Sequence, residues 1–214
     1  KQNLDDAIDL GLGTGFGDEW LRVGPVKLFA DGALGSQTAH LLRPYEGNKE
    51  NVGIAVTPKE ELAELVGRAV LAGLSCAVHA IGDRANRDVL DIFESVKEES
   101  AARHLHHRIE HAQLLHPEDV RRFANLGVVA SMQPVHILTD IPVAEKYWGR
   151  RSRWAYVFRS LTKAGTPLAF GSDAPVETPD PIRGIYAAVA RRGLDGTPDS
   201  GWYPEERLTV EEAI

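Results

Sequence analysis

Four side chains suited to holding a metal ion stand at the ends of short apolar runs. Lys27 sits in GPVKLFADG, His79 in LSCAVHAIGD, His111 in HHRIEHAQ and Asp173 in PLAFGSDAPV. A neutral imidazole at a strand end is a good ligand for a borderline ion such as zinc. An aspartate beside a metal-activated water can ligate the ion and accept the water's proton. A lysine inside Val26-Lys27-Leu28-Phe29 must snorkel out or serve chemistry, because an unpaired buried ammonium is costly. Desolvation depresses its pKa, and a neutral amine can add carbon dioxide to give a carbamate, a bidentate anion able to bridge two ions. Each residue also has a plainer explanation. Lys27 could pair with Asp31, either histidine could be hydrogen-bonded within the fold, and Asp173 could form an Asx turn or cap before Pro175. His79 and His111 lie about one strand–helix unit apart, which puts them on one rim of neighbouring strands. Together they favour a metal.

Other candidates are placed less decisively. His136 follows a strand end directly and reads as a substrate contact or as support for a ligand. Ser36 and Gln37, in the first long loop, read as substrate contacts. His104, His106 and His107 lead into a strand, where alternate residues face opposite ways, so one shared ion is not expected and surface or supporting roles are. His40 and His116 read as structural, the latter before Pro117 at a helix start.

The elements that must carry these residues alternate. Strands are expected over 26–29, 74–78, 107–110, 128–132 and 167–170, and helices over 57–72, 83–97, 117–126, 154–164 and 181–192. Thr57-Pro58-Lys59-Glu60 looks like a threonine cap with proline at the first helical position. Thr209 and Glu212 have capping-box spacing. Two long irregular segments, about 31–56 and 133–152, are candidate binding loops. Strands in order alternating with helices mean parallel neighbours joined by right-handed crossovers. Ionisable residues at the C-terminal strand ends point to an α/β-barrel active site. A complete barrel takes about 250 residues, so five strands with long loops imply one incomplete domain over 1–214.

Composition is that of an ordinary globular protein: 214 residues, 43% hydrophobic, with a formal charge of −7 that argues against nucleic acid or an anionic membrane as partner. No run approaches the roughly 18 apolar residues of a membrane span, and the N-terminus does not read as a signal peptide. A single cysteine, Cys76, cannot form an internal disulfide and fits a reducing compartment, so the cytoplasm is the expected location. An open half-barrel exposes sheet edges and apolar faces, so a homo-oligomer is expected.

GPVKLFADGALGSQTA, HAIGDRANRDVLDIFE, HHRIEHAQLLHPEDVRRFANLGVVASMQP and LAFGSDAPVETPDP together resemble the amidohydrolase superfamily, and within it the amidohydrolase-3 branch of N-substituted formamide deformylase-like enzymes. The resemblance implies a metal-dependent hydrolase (β/α)8 TIM barrel, with this chain contributing about strands 4 to 8 and lacking strands 1 to 3 and the accompanying β-sandwich. It implies one or two divalent ions, zinc by preference, with Lys27 carboxylated, His79 and His111 as ligands, and Asp173 as ligand and proton shuttle. The superfamily's first-strand His-x-His pair would lie well before Lys27, and this chain contains none there. The implied reaction is hydrolysis of a non-peptide carbon–nitrogen bond in a small amide or formamide. Two alternatives stay open: a catalytically silent or regulatory barrel fragment, and an esterase or phosphoesterase on the same rim.

Overall fold

The computed structural model describes residues 2–214. Its centre is one parallel sheet of five strands in sequence order: β1 (Val26–Phe29), β2 (Cys76–Ala80), β3 (Arg108–His111), β4 (Val129–Met132) and β5 (Leu168–Phe170). Helices α2 (Lys59–Leu71), α3 (Asp83–Ser95), α4 (Lys97–Ala102), α5 (Val120–Leu126), α6 (Ile137–Trp148) and α7 (Phe158–Lys163) lie in the connections. A short α1 (Gln2–Asp9) precedes the sheet, and α8 (Pro181–Ala190) and α9 (Val210–Ala213) follow it. Neighbouring outer helices pack on one another, α2 on α3, α3 on α5 and α5 on α7. No pairing between β5 and β1 occurs among the described residues, so the sheet is an open arc of a (β/α)8 barrel.

The two faces of the arc differ as the pleat requires. Val78, Ile109 and Ala130 are fully buried under the helices. On the other face the register aligns Lys27 with Ala77, Phe29 with His79, His79 with Glu110, and Glu110 with Ser131. Phe29 is 48% exposed there, so that face lacks a complete cover.

Two sequence expectations need correction. The 133–152 segment is largely helical, as α6. Its Ile137, Ile141, Ala144 and Trp148 form one buried stripe, and that burial outweighs the roughly 3 kcal/mol cost of the internal Pro142. Helix α2 begins at Lys59 without a threonine cap, because Pro58 takes an extended ψ of 145° and moves the first helical residue one place on. Helix α1 was not expected at all. By contrast, the Thr209–Glu212 capping box is present with both reciprocal bonds.

His107 is a structural histidine that the sequence left unplaced between surface and support. Its Nδ1 accepts the Cys76 N–H at 3.0 Å, and its Nε2 lies 2.9 Å from Ser100 Oγ. Its ring stacks on Phe93 at 4.7 Å. Burial, helped by neighbouring His106, pushes its pKa down to about 4. Because the folded value is depressed, the unfolded chain binds the proton first as pH falls below about 6.5. Stability should therefore be full above that pH and fall by roughly 2–3 kcal/mol towards pH 4. Urea melts of the parent and His107→Gln should show this pH-dependent loss in the parent and a shallower one in the variant. Parallel profiles would refute it.

Candidate metal centre

All five C-terminal strand ends open towards one cleft of about 450 Å³, lined among others by Lys27, Phe29, His79, His111, His136, Asp140 and Asp173. Sequence reasoning brought four of these forward as a metal set. The tightest grouping in the structure is His111, His136 and Asp173, whose ligand-type atoms all lie within 4.8 Å of one another. His136, expected to touch substrate or support a ligand, thus sits among the donors themselves, with Nε2 3.7 Å from Asp173 Oδ2.

Backbone geometry at two of these positions is unusual. His111 has φ of 75° and Asp173 φ of 60°, and Ala112 follows at 44°. Left-handed backbone in β-derived non-glycine residues costs of order 1 kcal/mol or more each and tends to cluster at functional sites. Here it turns His111 off the pleat, away from the direction that its register partner Ala80 would dictate.

His79 is joined to this group ring to ring, 4.6 Å from His111 at 72°. Its Nε2 lies 2.9 Å from the Gly32 carbonyl oxygen, so Nε2 carries the donated proton and Nδ1 keeps its lone pair for the cleft. Asp31 anchors that corner. It accepts the N–H groups of His40 (2.8 Å), Ile81 (2.9 Å) and Gly82 (2.8 Å), tying the end of β1 to the end of β2, and lies 3.6 Å from His79 Nε2. Burial drives its carboxyl up to about 7 while those N–H donors pull it down. Gly82 must be glycine here, since a Cβ would stand 2.0 Å from the His40 carbonyl oxygen.

Burial keeps the His111 and His79 imidazoles neutral and therefore competent as ligands. Burial, with His79 and Lys27 nearby, pushes the His111 pKa down to about 3, and burial lowers His79 as well. Lys27 lines the same cleft with Nζ 5.1 Å from the Phe29 ring centroid, and burial lowers its pKa too. Asp31 does not pair with it, and among the described residues Lys27 has no ion pair. Glu110, the carboxylate with the largest electrostatic influence on Lys27, instead meets Ser131 Oγ at 2.6 Å and Arg108 Nε at 2.5 Å.

The donor set fits a divalent ion on its own terms. His111 Nδ1 and His136 Nε2 are buried with no hydrogen-bond partner, a costly state unless something occupies the space they face. The first-loop candidates lie slightly aside. Ala33, Leu34 and Gly35 form that wall of the cleft. Ser36, in the adjoining turn, bonds Thr38 Oγ1 at 2.6 Å, and the Gln37 carbonyl accepts from Asn51. Sequence reasoning did not single out Gln113 and Asp140, which also line the cleft.

An arc of parallel strands with histidines and an aspartate gathered at its C-terminal ends defines a metal-hydrolase type of barrel. The sequence profile of the amidohydrolase family matches residues 1–214, and the chain belongs to that family. It is 41% identical over 198 residues to the protein LONG AFTER FAR-RED 3 of Arabidopsis thaliana, covering 92% of this chain and 34% of that protein. It is 31% identical over 196 residues to the N-substituted formamide deformylase of Arthrobacter pascens, covering 91% of this chain and 35% of that one. Among solved structures it resembles an uncharacterized metal-dependent hydrolase from Pyrococcus furiosus, at 39% identity and a TM-score of 0.84, covering 99% of this chain and 42% of the other. The chain therefore spans about a third of the length of the curated relatives it matches.

Proposed function

We propose that this chain carries the metal-binding cleft of a hydrolase that cleaves a non-peptide carbon–nitrogen bond, an amide or formamide, with water. The observation that supports this most is the convergence of His111, His136 and Asp173 within 4.8 Å, with two buried imidazole nitrogens left unpartnered. His111, His136 and Asp173 would hold a divalent ion, zinc by preference for two imidazoles and a carboxylate, with His79 Nδ1 and a carboxylated Lys27 available for the same or a second ion. Such an ion supplies Lewis acidity, acidifying water and polarising a carbonyl.

The protein's own groups do the rest. Asp173, its side chain 37% exposed at the cleft mouth, takes the proton of the attacking water at a carboxylate oxygen and returns it to the departing nitrogen. His79 is held in one tautomer by Gly32 and so keeps its orientation during turnover. Ala33, Leu34 and Phe29 supply apolar walls that keep bulk water from the reacting bond.

Among the described residues no helix is long and apolar enough to cross a membrane. A cytoplasmic location and a homo-oligomer remain part of this reading, the second because Phe16, Trp20, Leu21 and Phe29 are exposed.

The zinc-loaded chain should release amine from simple N-alkylformamides and lose that activity on chelation, with recovery on adding metal back. Turnover of a phosphotriester with no amine release would replace the reading with phosphoester hydrolysis.

A further inference from the structure

We propose that Gln113 and Asp140 select the substrate of this cleft by taking an amide N–H, so that the site accepts secondary amides and disfavours their N-alkylated counterparts. The inference rests on the hydrolase reading above and narrows its substrate class.

Gln113 is only 4% exposed, yet it lines the cleft, and its Oε1 has no hydrogen-bond partner. A buried amide left unpaired costs about 1–3 kcal/mol, a cost that a bound ligand would relieve. Asp140 also lines the cleft, and its Oδ2 accepts the Tyr156 hydroxyl at 2.5 Å. Among the described residues Asp140 Oδ1 accepts no hydrogen bond, so one oxygen is anchored and the other is left to the cleft.

Tyr156 holds both groups. It is fully buried with a left-handed φ of 53°, its N–H donates to the Gln113 carbonyl at 2.8 Å, and its hydroxyl fixes Asp140. Leu114 and Ala155 make a β-bridge beside this link. Two elements far apart in sequence thus present two acceptors to one space through one rigid intermediary.

Chain position sets them beside the metal group, in the cleft that His111, His136 and Asp173 also line. Gln113 lies two residues after His111, and Asp140 lies one helical turn after His136. A single N–H shared between the two acceptors in a three-centre bond complements them, and the Gln113 amide NH₂ can in addition meet a carbonyl, which is the pattern of a secondary amide. A ligand whose nitrogen is methylated leaves both acceptors unpaired. Sites built to bond a donor reject its absence far more strongly than apolar pockets reject a methylene.

The test uses the zinc-loaded full chain and a hydrolysis-resistant pair, N-butylmethanesulfonamide and its N-methyl derivative, titrated by ligand-observed NMR. The N–H compound should bind about tenfold more tightly. Asp140→Asn and Gln113→Leu should each bring the ratio towards one, and Tyr156→Phe should reduce it without touching the ligand. Thermal melts establish that each variant is folded, and the parent ratio stands without any variant. Equal affinities in the parent, binding of neither compound to zinc-loaded protein, or an unchanged ratio in folded Asp140→Asn and Gln113→Leu would each overturn the inference while leaving the hydrolase reading intact. A chain that cannot hold zinc would instead bring down the hydrolase reading, and this inference with it.

Discussion

Asp173→Asn is expected to lower the rate of amine release about 10³-fold while leaving the fold intact. An asparagine nearly matches the shape but cannot hold the proton between attack and departure, and misplaced general acid–base chemistry typically costs 10²–10⁴-fold. The change should appear in kcat rather than KM, since the carboxylate is assigned to proton movement and not to holding the substrate. Stability should not follow, because the Asp173 side chain is 37% exposed. Asp173 also belongs to the metal group, so zinc content must be measured on the same preparation. A kcat within about tenfold of the parent at equal zinc content would remove Asp173 from its proposed role.

Arg191→Leu should produce the largest loss of stability of any single change discussed. Arg191 is fully buried at the end of α8, with φ of 51°. Its guanidinium donates to the carbonyls of Trp202 (2.7 Å), Tyr156 (2.7 Å) and Ala155 (3.4 Å), and lies 5.5 Å from the ring centroids of both Phe158 and Trp202. Burial pulls its pKa down to about 10, so it stays charged at neutral pH, with Glu206 and Glu205 as the compensating carboxylates. Leucine would leave the buried Trp202 and Ala155 carbonyls unpaired beside those carboxylates and leave the Tyr156 carbonyl only its bond from the Phe158 N–H. Breaking such an arrangement from one side costs about 3–5 kcal/mol, or roughly 10 °C in melting temperature for a chain of this size. The exposed Arg121→Leu is the matched control and should change stability by less than about 0.5 kcal/mol. Urea unfolding with similar losses in both variants would contradict the account. Arg191 also holds the Tyr156 carbonyl, so its loss should loosen the wall that carries Gln113 and Asp140.

Much of this architecture is legible in the sequence because it is written in local patterns. Short apolar runs bounded by turn residues gave all five strands to within two residues at either end. The residue at each strand's end, from Lys27 to Asp173, then falls at one rim by topology alone. The family motifs span the same segments, so pattern and resemblance agree.

What the sequence hid depends on long-range packing. Pro142 made the segment before Gly149 look irregular, whereas the stripe Ile137, Ile141, Ala144 and Trp148 shows why it is a helix once its burial is known. Reading that stripe would also have placed Asp140 one turn from His136. The tightening of His136 onto Asp173 could not be read at all, because it depends on two left-handed residues at the β3 and β5 ends that no spacing announces. The sequence offers Asp31 only as a partner for Lys27. Its actual partners are backbone N–H groups brought by a distant strand, and backbone donors carry no side-chain signature.

The most direct test of the central claim is the zinc stoichiometry of the purified chain by plasma mass spectrometry, with His111→Ala and Asp173→Ala measured alongside. The account predicts near-stoichiometric zinc in the parent and its loss in both variants, with the fold preserved by circular dichroism. A parent chain that takes up no divalent metal, or variants that keep the parent's full content, would contradict it.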